Sequence, residues 1–511
     1  MTLNRRAWPI IPILAALIAA TGLGLRIASF GWNTRIQGDV NLMALTAREF
    51  VQHNRLYYPM IYGGAELRPF MTLNPVGSPA TQHPPLYPFL AGLIGKLVGG
   101  DDTFSYLKLL DEAGGLALLG ALLWTALRRR DEAPAWLAAG AMAAAAPLLV
   151  DFSANGSPYI LSTLAILLAI LLIRAFRMER LRDYVLAGLI CGLGLQFHTI
   201  VAGLPAAFVV LWIAERRHIR WAGIGLFVLA MALTLAPWMA WSEVTMGQLR
   251  PPSSDYILGQ LSITSYSQML QPAVFGHYLK LIGSADRGFA EMGYREVGPF
   301  LPILAAIGLY FLARTDRRAL LAVALPELAY LAIELAWPTF QFRFMVPAVL
   351  PLIVAAGFGF ARLPGALGGR RWLGWAVGGL LLAGSIGWSL PVYFHDPPTH
   401  YYGPGRETTI AKQYPHMQAL ASVLGQQPAG MTLGMASMLD QGIETVYWSH
   451  QPLVLGGVKS DAKALRDHAA AYSVRYVWTD STLKGTVEAA FPDAKVIGSD
   501  GPFVLYELAG K

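Results

Sequence analysis

Apolar residues in this chain come in runs of 14 to 23, most of them at the length at which an α-helix crosses the hydrocarbon core of a bilayer. They recur at 7–29, 106–127, 133–150, 159–173, 184–197, 200–214, 221–241, 298–313, 319–337, 344–361 and 372–391. In lipid a spanning segment must satisfy its own backbone N–H and C=O groups, so the runs predict helices. About eleven transmembrane helices are therefore expected. Composition agrees, with 55% hydrophobic and 14% charged residues and a mean hydropathy of +0.45, which excludes a soluble protein. The pieces on either side of Phe197-His198-Thr199 are short and read as bent or broken helices. The first run follows Arg5 and Arg6 and exceeds the usual h-region of a signal peptide, so it reads as an uncleaved span.

A formal charge of +7 and a pI near 9.3 would suit nucleic acid, but the arginines fall in short clusters between apolar runs. If the segment 84–98 stays on the outer surface, eighteen arginines gather on one side: Arg5 and Arg6, Arg128 to Arg130, Arg174, Arg177, Arg180 and Arg182, Arg216, Arg217 and Arg220, Arg314, Arg317 and Arg318, and Arg362, Arg370 and Arg371. Arg343 alone sits in the short loops opposite. Making 84–98 a span would split the clusters, so the positive-inside rule predicts a juxtamembrane or re-entrant helix there. The N-terminus is then cytoplasmic in an inner-membrane protein. The loops 31–105 and 242–297 and the C-terminal region face the periplasm or the exterior. The one cysteine, Cys191, lies in an apolar run and reads as a buried small hydrophobe.

After residue 391 the composition changes. HDPPTHYYGPGRE reads as a linker, 417–424 and 461–471 as helices, and 453–455, 474–478 and 503–507 as strands. The expected fold class is thus a mostly α polytopic membrane domain over 1–391, followed by a small extracytoplasmic α/β domain over 392–511.

The most polar stretch near a span is the first outer loop, which begins GWNTRIQGDVNLMALTAREF and ends near ATQHPPLYPFL. A carboxylate beside a bilayer has to be solvated, paired or useful. Asp39 precedes a helix whose Leu42, Leu45, Ala47 and Phe50 suit a membrane surface. Asp39 reads either as that helix's N-cap or as a general base for an acceptor hydroxyl. Asp151, in PLLVDFSANGSPY, falls at the same expected membrane face, as a second carboxylate or as a solvated helix end. Asp111 and Glu112 lie near Lys108 and read as a local ion pair or as further acids. Cations available to an outward phosphate are Lys108, Arg250, Lys280, Arg287, Arg295 and Arg343. Arg343, in QFRFMVPAVLP, sits at the mouth of a span and reads as a phosphate fork or as a snorkelling side chain. His83 and His277 are candidate phosphate or hydroxyl partners, and Tyr87, Tyr159 and Tyr278 candidate pocket or acceptor-side residues. HExxH, CxxC, Walker A and GxSxG motifs are absent, which argues against zinc proteolysis and ATP hydrolysis. No dedicated metal site is expected, although a divalent cation is admissible.

These residues carry a resemblance. Gly38-Asp39, His83 to Pro88, Ala236-Pro237-Trp238 and Arg343 to Pro351, in that order around the expected spans, resemble the GT-C glycosyltransferases of the protein O-mannosyltransferase and aminoarabinose transferase type. The related galacturonosyltransferases of lipopolysaccharide core belong to the same group. The resemblance implies an inverting transfer of a sugar from a polyprenyl phosphate to an acceptor hydroxyl on a lipid, glycan or protein outside the membrane. It implies that Asp39 is the base, that Asp151 helps form the site and that Arg343 helps bind the donor phosphate. The family often has Asp-Glu where this chain has Asp39-Val40, which weakens the case for a metal or a second acid there. Physical logic runs the same way, since a lipid phosphate is an activated leaving group that needs a base opposite it, cations beside it and no nucleotide site. Two other readings are a transporter or flippase of polyprenyl-linked sugars, for which Glu327 and Glu334 are the acidic candidates, and a non-catalytic assembly protein.

Overall fold

The computed structural model describes residues 10–32, 39–58, 70–73, 78–79, 83–216, 219–247, 249, 297–334, 342–395, 404–435, 445–456 and 461–509. The chain forms two compact units. The first comprises residues 1–34, 81–86 and 108–401, and the second residues 35–80, 87–107 and 402–511. This differs from a continuous division at 391/392, because most of the first outer loop groups with the C-terminal region.

The first unit is helical. It contains α1 (Ile10–Trp32), most of α4 (Thr103–Arg128), α5 (Ala133–Ala145), α6 (Pro147–Asp151), α7 (Tyr159–Ala175), α8 (Leu181–Phe197), α9 (Leu204–Ala214) and α10 (Trp221–Met246). It continues with α11 (Phe300–Thr315), α12 (Arg317–Glu334), α13 (Met345–Ala366) and α14 (Arg371–His395). Among the described residues, each expected apolar run falls largely in helix. Among the described residues, α1, α4, α10 and α13 are long and apolar enough to cross a membrane. Others, such as α5 and α9, are shorter.

Two breaks matter for the site. Ala146 is extended (ψ 117°) because it precedes Pro147, so the run expected at 133–150 becomes two helices and Asp151 ends the second. His198 is likewise extended (φ −158°, ψ 137°), and a 3₁₀ turn at Thr199–Val201 separates α8 from α9. The expectation of a broken helix there holds. Small residues let helices approach closely. A Cβ on Gly308 of α11 would run into the Ala355 carbonyl, and one on Gly359 of α13 into the Leu304 carbonyl.

The second unit joins α2 (Asp39–His53) and α3 (Leu86–Val98) to a C-terminal α/β layer. Thirteen residues make α3 about 20 Å long, too short to cross a bilayer alone. It packs on α2 through Gly92, against Ala47 and Phe50, with Phe50 edge-on to Phe89 at 4.9 Å. The apolar face expected to lie on the membrane is buried within the protein instead: Val40, Leu42, Met43, Ala44, Leu45 and Ala47 are all at most 3% exposed. Thr103 Oγ1 donates to the Ala44 carbonyl at 2.7 Å. Arg48 donates to the Tyr447 carbonyl at 2.8 Å, with its guanidinium 4.0 Å from the Tyr447 ring centroid.

A short antiparallel pair, β1 (Tyr57–Tyr58) with β3 (Ser78–Pro79), stands apart from the main sheet. The main sheet contains β2 (Phe70–Leu73), β4 (Met431–Met435), β5 (Leu453–Gly456), β6 (Val474–Asp480), β7 (Lys495–Asp500) and β8 (Phe503–Glu507), in the order β2-β5-β4-β6-β8-β7. The β5, β4 and β6 strands run parallel, as a crossover-connected centre must, and the outer pairs are antiparallel. The helices α15 (Pro404–Gly425), α16 (Ala462–Ala471) and α17 (Lys484–Ala490) complete the layer, and Asp461 caps α16 by accepting the Ala464 N–H at 2.7 Å. The strands expected at 453–455, 474–478 and 503–507 are present. The β2, β4 and β7 strands are additions.

Candidate active site

The breaks after α5 and α8 place several polar and aromatic side chains at one end of the first unit. Asp151, 3% exposed, closes α6. The chain then turns through Ser153, whose Oγ donates to Leu149 O at 2.5 Å, and Asn155, whose Oδ1 accepts the Ser157 N–H at 3.1 Å. Gly156 takes φ 84° between them, a conformation that suits glycine. The turn delivers Tyr159 at the start of α7.

Tyr159 is the centre of the cluster. Its ring lies 4.8 Å from the His198 ring, 5.8 Å from Phe152 and 6.1 Å from Phe344. His198 in turn faces His83 at 5.7 Å. The Arg343 guanidinium lies 5.8 Å from the Tyr159 centroid and 5.5 Å from that of Phe344, and is 8% exposed. Tyr330 donates its hydroxyl to the Phe344 carbonyl and so fixes the turn that carries Arg343. His198 Nδ1 accepts the Ile200 N–H at 3.0 Å, which places the proton of the neutral ring on Nε2 as a donor. The structure therefore brings His83, Tyr159 and Arg343 together, with Asp151 at the adjoining helix end, and adds His198. A guanidinium beside aromatic faces carries a charge that can meet an oxyanion, and histidine N–H groups can share that load.

A second group lies along α4. Lys108 Nζ donates to the Phe30 carbonyl at 2.5 Å and sits 4.0 Å from the Phe30 ring centroid. Asp111 is fully buried, and both carboxylate oxygens of Glu112 are buried without a hydrogen-bond partner among the described residues. The cation whose field reaches Glu112 is Arg26, a fully buried arginine of α1 that donates to Gly22 O at 3.1 Å and Ala143 O at 3.4 Å. Gly115 leaves room for this approach, since a Cβ there would meet Ser153 and come within 3.0 Å of Arg26 Nε. Sequence reasoning assigned no role to Arg26 or His198. A lone arginine within a 23-residue apolar helix carried the signal, and a histidine at a helix break carried a weaker one.

Asp39 and Tyr87 belong to the second unit. Asp39 opens α2, and Tyr87 is fully buried and donates its hydroxyl to Leu107 O at 3.1 Å. Arg250, His277, Tyr278, Lys280, Arg287 and Arg295 lie outside the described residues. Among the described residues no group of three or more His, Cys, Asp or Glu is placed to hold a metal ion.

The family described as dolichyl-phosphate-mannose-protein mannosyltransferase matches residues 82–241, which include His83, Lys108, Asp151, Tyr159 and His198. In structure the chain is similar to ArnT from Cupriavidus metallidurans bound to undecaprenyl phosphate, at 17% identity and a TM-score of 0.66, over 96% of this chain and 97% of that one. The apo state of the same ArnT gives 15% identity and a TM-score of 0.63 at the same coverage. No curated protein matches the chain by sequence. The chain shares its fold with this ArnT.

Proposed function

We propose that this protein transfers a sugar from a polyprenyl phosphate to an acceptor hydroxyl at the outer face of the cytoplasmic membrane, with inversion at the anomeric carbon. The observation that carries the reading is the cluster of Arg343, Tyr159, His198 and His83 beside the Asp151 helix end, in a fold shared with an ArnT that binds undecaprenyl phosphate. In this reading Arg343 and the histidine N–H groups hold the phosphate that departs. Lys280 and Arg250 are assigned to the same phosphate, and Lys108 to its approach. Asp39 takes the proton of the acceptor hydroxyl as its oxygen bonds to the anomeric carbon, and the bond from that carbon to the phosphate oxygen breaks, releasing polyprenyl phosphate. Asp151 orients the acceptor, with Tyr87, Tyr159, His277 and Tyr278 as pocket residues.

The test is label transfer from polyprenyl-phosphate sugars into an envelope lipid and glycan extract, with wild type and Asp39→Asn compared. Loss of about 10²- to 10⁴-fold in the variant, with donor binding retained, is the expected outcome for a general base. Equal transfer removes Asp39 from the mechanism. Chelation and readdition of magnesium in the same assay tests the admissible divalent cation, since transfer that falls and returns assigns it a part.

Transport remains the second reading because of Glu327, whose Oε2 is buried on α12 without a hydrogen-bond partner among the described residues. Scrambling of the labelled lipid without transfer would favour it.

A further inference from the structure

The opposite end of the first unit holds a cavity of ≈ 640 Å³ that the proposed reaction does not use. Its walls come from the loop after α4, the α7–α8 connection, the end of α9 and the start of α12. Six arginines line it, Arg129, Arg174, Arg177, Arg180, Arg317 and Arg318, against one carboxylate, Glu215.

Some of these charges are already matched. Arg174 reaches Glu132 at 2.5 Å and grips both oxygens of Asp316, at 2.6 and 3.0 Å. Arg318 pairs with Glu215 and also donates to the carbonyls of Ile173 at 2.9 Å and Phe176 at 2.5 Å. Counting Glu132 and Asp316 behind the wall, the six guanidinium groups face three carboxylates. Arg177, Arg180 and Arg317 have no carboxylate at ion-pair distance among the described residues. Three positive charges therefore converge on one concavity whose frame is fixed by the paired arginines. Arg177, Arg180 and Arg317 are exposed, so water screens their mutual repulsion, and an anion entering the concavity meets three positive charges without a carboxylate partner among the described residues. A plain topological bias asks only that arginines sit on this side, and it would be met equally well on convex, solvated loops. Between the guanidinium groups the wall is apolar, with Phe176 and Leu321 among its members. A pocket that is basic and apolar at once suits an amphiphile with a phosphate head.

We propose that this arginine-lined cavity binds the phosphate of an anionic phospholipid, at the membrane side opposite the Arg343 cluster. Guanidinium forks match phosphate oxygens in pairs, and basic pockets between helix ends at a membrane surface are suited to such headgroups.

The experiment is native mass spectrometry of the full chain in neutral detergent, with phosphatidylglycerol, phosphatidylcholine or inorganic pyrophosphate added. Saturable retention of phosphatidylglycerol over phosphatidylcholine is expected. Each arginine removed should weaken it about fivefold, so Arg177→Gln with Arg180→Gln and Arg317→Gln should weaken it about a hundredfold. A control set, Arg362→Gln with Arg370→Gln and Arg371→Gln, removes the same charge outside the cavity and should keep wild-type retention. If the triple cavity variant fails to fold, Arg180→Gln alone carries the test through its fivefold loss. Equal loss in both triple sets, or none in the cavity set, overturns the proposal. Pyrophosphate binding without phosphatidylglycerol retention also overturns it, in favour of a soluble phosphate.

Discussion

The two ends of α7 hold arginine in opposite ways. At the Tyr159 end, Arg343 lies over two aromatic rings. At the Ala175 end, Arg174 is clamped between Glu132 and Asp316, while Trp136 Nε1 holds the other oxygen of Glu132 at 3.0 Å. A carboxylate consumes the donors of a guanidinium and turns the side chain into a tie between helices. An aromatic face holds the same group through the charge distribution of the ring rather than through an ion pair. The same residue type, in one helix unit, thus ties helices together at one end, and at the other it is the group proposed to hold the donor phosphate.

The largest effect that would test this contrast is on transfer. Arg343→Gln should lower kcat/KM for the donor about 10³-fold, the scale for losing a charge placed against a developing oxyanion, with little change in melting temperature. Arg343→Lys should recover part of the loss, since it restores charge but not the fork. A collapsed melting temperature with normal transfer per folded molecule would make Arg343 a tie like Arg174.

The opposite split is expected at the other end. Arg174→Gln should destabilise the fold by about 3 kcal/mol, because it leaves two carboxylates facing each other in a largely enclosed site. Transfer per folded molecule should stay within about twofold, as the two ends of α7 are far enough apart to act independently. Glu132→Gln added to Arg174→Gln should cost less than the two separate losses together, with a coupling of about 1–2 kcal/mol. Urea titration of the single and double variants checks both statements, and strict additivity would mean that the pair is not one unit.

How far sequence alone reached follows from what each pattern encodes. Among the described residues, apolar run length located the helices of the first unit apart from the separate α6, because lipid offers the backbone no other partner. The short pieces around His198 marked one break, whereas the break before Pro147 lay inside a run expected to be a single helix. Periodicity showed that Leu42, Leu45 and Ala47 share an apolar face but not what covers it, and protein rather than lipid does so. The β2 strand pairs with β5 across more than 370 residues, from Leu73 to Leu453, and nothing local in either segment announces that partner. At the site, Arg343 and Tyr159 were legible as residues at span mouths. Their meeting with His198 depended on helix packing, which a single sequence does not display.

The smallest expected effect separates the ring of Tyr159 from its hydroxyl. A cation over an aromatic face at this distance is worth about 1 kcal/mol, or roughly fivefold in binding. Tyr159→Leu removes the face, so KM for the donor should rise about fivefold, with kcat changing less because the phosphate is held before and after the chemical step. Tyr159→Phe keeps the face and the packing on His198, so it should leave KM near that of the wild type. If Phe loses as much as Leu, the hydroxyl carries the role and Tyr159 belongs with the acceptor. If Leu alone is impaired, the ring is the support on which Arg343 is held toward the donor phosphate, and the contrast between the two ends of α7 stands on the aromatic face itself.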